Sequence, residues 1–156
     1  MNTSEPTCDL LIIGAGPAGC TAALYGARAG LKTVMISPTE LSGMMAWAPT
    51  VANFPGQVEP VPGKVILARL RQQALNAGAE HVLESVVGVN LEGQYKTVFA
   101  GLETHVAPAV IVASGAMAPE KKAPGEQELV GRGVCYCVAC DGPLFRGQDV
   151  LVIGQD

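Results

Sequence analysis

Charged and aromatic side chains are scarce in this sequence: Asp, Glu, Lys and Arg make up 15% of the 156 residues, and Phe, Trp and Tyr only 4%. Lys and Arg number 10 against 14 Asp and Glu, a formal net charge of −4. A basic stripe for nucleic acid is missing, and no block of like charge reads as a tail. Long hydrophobic runs are missing as well. The longest uncharged stretch near the start, Leu10 to Ala27, is interrupted by Gly14, Gly16, Pro17, Gly19 and Gly26 and makes a poor membrane-spanning helix. The residues before it include Glu5 and Asp9 but no Lys or Arg, so the basic start of a secretory signal is absent. The expectation is a soluble, cytoplasmic protein with neither a nucleic acid nor a membrane as partner.

Apolar residues reach 49%, which excludes a disordered or collagen-like chain. A chain of this length buries roughly 70% of its unfolded surface, enough for one core. Its 19 glycines predict many turns and close backbone approaches. The cysteines Cys8, Cys20, Cys135, Cys137 and Cys140 are odd in number, which favours free, catalytic or metal-bound thiols over a disulfide scaffold.

Leu10-Leu11-Ile12-Ile13 is purely apolar and stops at glycine, as a strand buried on both faces does. Pro17 to Ala29 reads as a helix of small residues ended by Gly30, and Thr33 to Ile36 as a second buried strand. Together they make one βαβ unit. Ser37 to Gly63, with five prolines, reads as a long functional loop. Lys64 to Ala77 is a helix with Ile66, Leu67, Leu70 and Ala74 on one face. His81 to Leu91 is read as extended, with Val87, Val89 and Leu91 alternating. Tyr95 to Ala100 and Thr104 to Ala107 are short strands joined by turns. Ala109 to Ala113 is another buried strand, ending at Ser114-Gly115. Met117 to Gly125 reads as a linker. Asp149 to Gly154 echoes the first strand: an apolar run stopping at glycine.

Two motifs carry chemistry. Gly14-Ala15-Gly16-Pro17-Ala18-Gly19 lies directly after a strand and before a helix. There the first glycine makes the tight turn, the second lets a pyrophosphate approach the backbone, and the third lets helix and strand pack closely. The bland alternative is a packing turn, but the context that dinucleotide binding requires is met. The acid expected about 20 residues further on, to hold a ribose, is replaced by Ser37 at the strand end, with Glu40 the nearest carboxylate. The second motif is Cys137-Val138-Ala139-Cys140-Asp141. It reads as half a zinc site, as two structural thiols or as a redox disulfide. His81 and His105 do not make a second ligand pair, so no metal is expected. Asp141 favours the redox reading, because a carboxyl beside a dithiol can move a proton to or from the leaving thiolate.

These motifs, with Asn53-Phe54-Pro55-Gly56, Ala113-Ser114-Gly115 and Gly131-Arg132-Gly133-Val134 in that order, resemble the bacterial-type, low-molecular-weight thioredoxin reductase family of FAD disulfide oxidoreductases. The resemblance runs from about Leu10 to Gly154 and is most specific from Gly131 to Phe145. It implies a Rossmann-like α/β FAD-binding domain with a β-meander and the start of a second dinucleotide-binding-like domain. The boundaries are 1–116 for the N-terminal part of the FAD domain, 117–125 for the linker and 126–156 for the second domain. It implies FAD as cofactor, with Gly14, Gly16, Pro17, Ala18 and Gly19 at the pyrophosphate. Ser37, Glu40, Gly43, Met44 and Met45 follow the ribose and flavin, Asn53 the flavin side, and Val86 the adenine, while Ala113, Ser114 and Gly115 close over the cofactor. Cys140 is then the thiol nearer the flavin, Cys137 attacks a thioredoxin-like or other disulfide partner, and Asp141 is the acid/base. Relatives are commonly homodimers.

The departures are specific. Gly154-Gln155-Asp156 stands where the family starts its NADPH fingerprint, and a carboxylate at the second glycine blocks and repels a pyrophosphate. Ferredoxin or a second flavin is then the alternative donor to NADPH. Trp47 either meets the flavin or packs in the core, and Cys135 is read as a small buried residue. The final strand has no covering helix, so the expectation is a truncated chain. Non-catalytic FAD binding with structural thiols is the competing reading.

Overall fold

The first apolar run forms β1 (Leu10–Ile13), and its side chains split by period two onto the two faces of a sheet. Leu10 and Ile12 pack with Met35, Leu67 and Ala74 on one face, while Leu11 packs with Val34, Ile36, Val98 and Ala107 on the other. A strand covered on both sides has no polar position, which is why the sequence shows no alternation there. The structure, a computed structural model, describes residues 5–116, 124–130 and 132–153, with the side chains of Gln127, Ala139 and Cys140 outside the described set.

The sheet has the order β3-β2-β1-β7 and is parallel throughout, with β2 Thr33–Ser37, β3 Glu80–Leu83 and β7 Ala109–Val112. Helix α1 (Pro17–Arg28) joins β1 to β2, and α3 (Gly63–Asn76) leads into β3. The two helices pack together and bury Cys20, Ala23, Leu67 and Ala74. The opposite face carries an antiparallel meander of β4 (Val86–Asn90), β5 (Lys96–Ala100) and β6 (Glu103–Ala107). The result is three layers: helices, parallel sheet and meander.

Several expectations are corrected. The buried strand expected over Ala109 to Ala113 is β7, which ends the described sheet and is largely exposed, with Ile111 at 40% and Val112 at 61%, because no further strand covers its outer edge among the described residues. His81 to Leu91 is not one extended segment; it is β3 and β4, broken at Glu84-Ser85, because one strand joins the parallel sheet and the other the meander. The alternating Val87, Val89 and Leu91 face solvent, at 72%, 45% and 45% exposure, since the inner meander face is filled by Val98, Ala100 and Ala107. The 37–63 segment contains a short helix, α2 (Met44–Trp47), and an antiparallel bridge between Val51 and Val61. Val150 to Ile153 form no strand and are 65–84% exposed, because an apolar run of this kind needs flanking strands and none lies beside it among the described residues. Residues 117–123 of the expected linker lie outside the described residues, as do Gly154, Gln155 and Asp156. Two further short helices, α4 (Glu126–Leu129) and α5 (Val138–Asp141), follow that gap. No helix of the described residues is long and apolar enough to cross a membrane.

Leu67 is fully buried between α1 and the sheet. Leu67→Ala is expected to destabilise the fold by about 2–5 kcal/mol, read as a lower midpoint in urea unfolding; an unchanged midpoint would show that this core is not the one described.

Candidate functional site

The glycine turn sits at the carboxyl edge of the sheet, where open α/β sheets bind ligands. Gly14 has φ +107°, and its N–H donates to the Ile36 carbonyl at 2.8 Å. The Ala113 N–H donates to the Ile13 carbonyl at 2.8 Å, and a Cβ on Gly14 would run into the Ala113 carbonyl oxygen. Neighbouring strands thus clamp the turn on both sides. A Cβ on Gly19 would overlap the Gly14 carbonyl, so α1 lies directly against the turn. Gly16 is different: a Cβ there meets nothing within 4 Å. Gly16 is the N-cap of α1, Pro17 follows, and no side chain caps the helix. The first-turn N–H groups are therefore free for an anion that replaces the missing cap. Two glycines packed against backbone and one facing open space fit a dinucleotide pyrophosphate.

Beside the turn, at the end of β2, lies a polar ring. Ser37 is buried; its hydroxyl donates to the Thr39 carbonyl at 2.8 Å and pairs with His81 Nε2 at 2.8 Å. Arg71 Nε donates to His81 Nδ1 at 2.9 Å, and the Arg71 guanidinium lies 3.5 Å from Glu40. Since an arginine only donates, Nδ1 must accept; since the Ser37 hydroxyl hydrogen goes to Thr39, Nε2–H must donate to Ser37. Both conditions describe neutral imidazole. Burial, and secondarily Arg71, lowers the His81 pKa from its ordinary value. With Ser37 engaged, Glu40, its side chain 65% exposed, is the carboxylate open to a ribose. The sequence singled out Ser37 and Glu40 but passed over Arg71 and His81. Only the register placing His81 opposite Met35, and so on the helix-facing side with Ser37, brings them together.

The remaining cofactor candidates flank this edge. Gly43, with φ +89°, precedes α2; Met44 is 40% exposed, and Met45 packs against the helix-side core. Trp47 is 73% exposed, so its core-packing reading fails. Asn53 is exposed, and the segment after it, Phe54–Gln57, walls a shallow cavity of about 230 Å³ against α3. Val86 opens β4 and packs on the meander-side core. Ala113 is half-buried at the turn, and Ser114 and Gly115 continue outward exposed.

The thiols divide by environment. Cys20 is fully buried, donates to the Ala15 carbonyl at 3.2 Å and has its pKa pushed up to about 11 by burial. Burial also raises Cys8. Both are inert as nucleophiles. Cys135 is free but exposed, against the expectation of burial. Cys137 is half-buried and disulfide-bonded. The Asp141 N–H donates to the Cys137 carbonyl at 2.9 Å, closing the turn of α5, which packs on the 3₁₀ helix Gly142–Phe145. The Tyr136 hydroxyl donates to Glu126, tying this segment to α4 and raising the tyrosine pKa. The structure thus gathers Gly14 to Gly19, Ser37, Glu40 and Ala113 at one edge; the Cys140 side chain lies outside the described residues. Among the described residues, no group of three or more His, Cys, Asp or Glu is placed to hold a metal ion.

Residues 8–155 match the family described as pyridine nucleotide-disulphide oxidoreductase. A thioredoxin reductase of Mycolicibacterium smegmatis is 46% identical over 154 residues, covering 99% of this chain and 50% of that protein. The bifunctional thioredoxin reductase/thioredoxin of Mycobacterium leprae is 44% identical over 159 residues, covering 99% of this chain and 35% of that protein. Among solved structures, the thioredoxin reductase of Streptococcus pyogenes superposes with a TM-score of 0.82 at 35% identity, over 88% of this chain and 45% of that one. That of Giardia duodenalis gives a TM-score of 0.81 at 33% identity, over 90% and 46%. The chain spans about half the length of the thioredoxin reductases it matches.

Gly19 and Gly16 separate fold from binding. Gly19→Ala is expected to lower the thermal midpoint sharply, because backbone must move. Gly16→Ala, with open space and an extended backbone, should change stability by no more than about 0.5 kcal/mol while weakening dinucleotide binding. Equal thermal midpoints for the two variants would contradict the geometry. His81 adds a pH signature. With a folded-state pKa below the ordinary 6.5, its contribution to stability is complete above that value and is lost as pH falls below it. Urea midpoints measured from pH 8 to 5 should drop in the acid half for the wild type more than for His81→Asn.

Proposed function

This chain belongs to the pyridine nucleotide-disulphide oxidoreductase family, and from that premise we propose that it acts as a thioredoxin-reductase-like flavoprotein, passing electrons from FAD through a Cys137/Cys140 redox disulfide to a thioredoxin-like or other disulfide partner. The observation that carries the reading is the clamped glycine turn, whose Gly16 face and uncapped helix are open to a pyrophosphate. Gly14 to Gly19 hold the pyrophosphate, Glu40 the ribose, and Val86 the adenine. Met44, Met45 and Asn53 follow the flavin, with Ala113 to Gly115 closing over it. Bound FAD supplies the electron pair that reduces the disulfide. The cysteines do the rest. The Cys137 thiolate attacks the partner disulfide, forming a mixed disulfide and expelling one partner thiolate. Cys140 then attacks the Cys137 sulfur, re-forming the internal disulfide and releasing the partner as a dithiol. Asp141 carries the proton to and from the thiolates. The M. leprae relative, which bears both names, supports thioredoxin as the partner.

Two donors fit. The family description names a pyridine nucleotide; Asp156, a carboxylate where the second glycine would stand, favours ferredoxin or a second flavin instead. We place residues 126–156 at the start of a second domain. A cytoplasmic location fits the free thiols Cys8, Cys20 and Cys135, which a reducing compartment preserves.

Cys140→Ser is expected to keep the flavin bound, with its visible spectrum, while disulfide turnover falls to background. Turnover at the wild-type rate in that variant would end the redox assignment.

A further inference from the structure

The ring of side chains at the end of β2 has a consequence for cofactor affinity. We propose that Arg71 and His81 are positioning residues that hold Glu40 on the ribose of the bound dinucleotide, and that protonating His81 releases Glu40 and loosens the cofactor. This rests on the FAD reading above.

Glu40 sits in the loop after β2, its side chain 65% exposed, and a lone surface ion pair would scarcely fix it. Its partner, however, is only 19% exposed and is anchored in turn. Arg71 Nε is held by His81 Nδ1 at 2.9 Å, His81 by Ser37 at 2.8 Å, and Ser37 by the Thr39 carbonyl, one residue before Glu40, at 2.8 Å. The ring closes on itself through the backbone. It also adjoins the glycine turn, because Ser37 follows Ile36, whose carbonyl accepts the Gly14 N–H.

The ring exists for one protonation state only. A proton on Nδ1 would face the Arg71 Nε–H, donor against donor and charge against charge. Arg71 must then turn away, and Glu40 loses its anchor. The charged groups acting on His81 are Arg71 from α3 and Glu40 from the loop; Ser37 from β2 is neutral. Cys20 of α1, which interacts with Arg71, stays a neutral thiol because its pKa is pushed up to about 11.

The test is FAD binding to the purified protein, followed by flavin fluorescence quenching from pH 8 to 5.5, with FMN, which lacks the adenosine ribose, as the control ligand. Wild-type affinity for FAD should fall roughly tenfold over this range, the equivalent of one pKa unit, while FMN affinity should not. His81→Asn should be flat, and Glu40→Gln should be weaker at high pH and flat. As a second measurement on unaltered protein, the imidazole resonances of its 2 histidines can be titrated by NMR. By linkage, FAD should move the His81 midpoint down by the matching factor and leave His105 in place. A pH-independent FAD affinity, a fall shared by FMN or kept in His81→Asn, or an unmoved His81 midpoint overturns the positioning role and leaves the FAD reading intact. Wild-type protein that binds no FAD at any pH overturns both.

Discussion

The Gly14 carbonyl occupies the space that a side chain on residue 19 would need, and the architecture of this edge follows from that contact. It draws the first turn of α1 onto the end of β1. The helix N-terminus therefore opens at the carboxyl edge of the sheet rather than over its face. Gly14, bonded to Ile36 on one side and pressed against Ala113 on the other, is then fixed by β2 and β7 together. Of the three glycines of the turn, only Gly16 faces open space. In the proposed function, that one backbone approach sets where the dinucleotide enters, which strand end meets its ribose and which loop closes over it.

The parts legible in the sequence are those where one local rule decides. The apolar run ending at Gly14 names a buried parallel strand, because only a strand covered on both faces excludes every polar residue; the run ending at Ser114 forms the parallel strand β7 but stays largely exposed, with Val112 at 61%, at the end of the described sheet. The same rule misled at Val150 to Ile153, where the run is present and no neighbouring strand lies beside it among the described residues. The alternation of Val87, Val89 and Leu91 located a strand but not its inward face, which small residues on β5 and β6 decide. The Gly14 to Gly19 spacing placed the candidate site. The ring around His81 was not legible, because its members lie on three elements separated by up to 44 positions and meet only through parallel register and the docking of α3. The burial expected of Cys135 and the core alternative for Trp47 failed for a related reason: residue type suggests burial, and only packing settles it.

The chemistry of the sulfurs follows the same division. Cys8 and Cys20 are held protonated by burial and serve the core. Cys137, disulfide-bonded at the start of a helical turn closed by Asp141, is the sulfur to which the proposed function gives the exchange. The edge of the parallel sheet and the cysteine turn are joined, in the proposed function, by electrons rather than by any packing contact described above.

The central claim is that the bound flavin and the Cys137/Cys140 pair share electrons. An anaerobic reductive titration of the flavin-loaded protein tests it most directly. The account predicts uptake of two electron pairs before reduction is complete, one for the ring and one for the disulfide, with two new thiols appearing by alkylation. Completion after a single pair, with the disulfide intact, would contradict it.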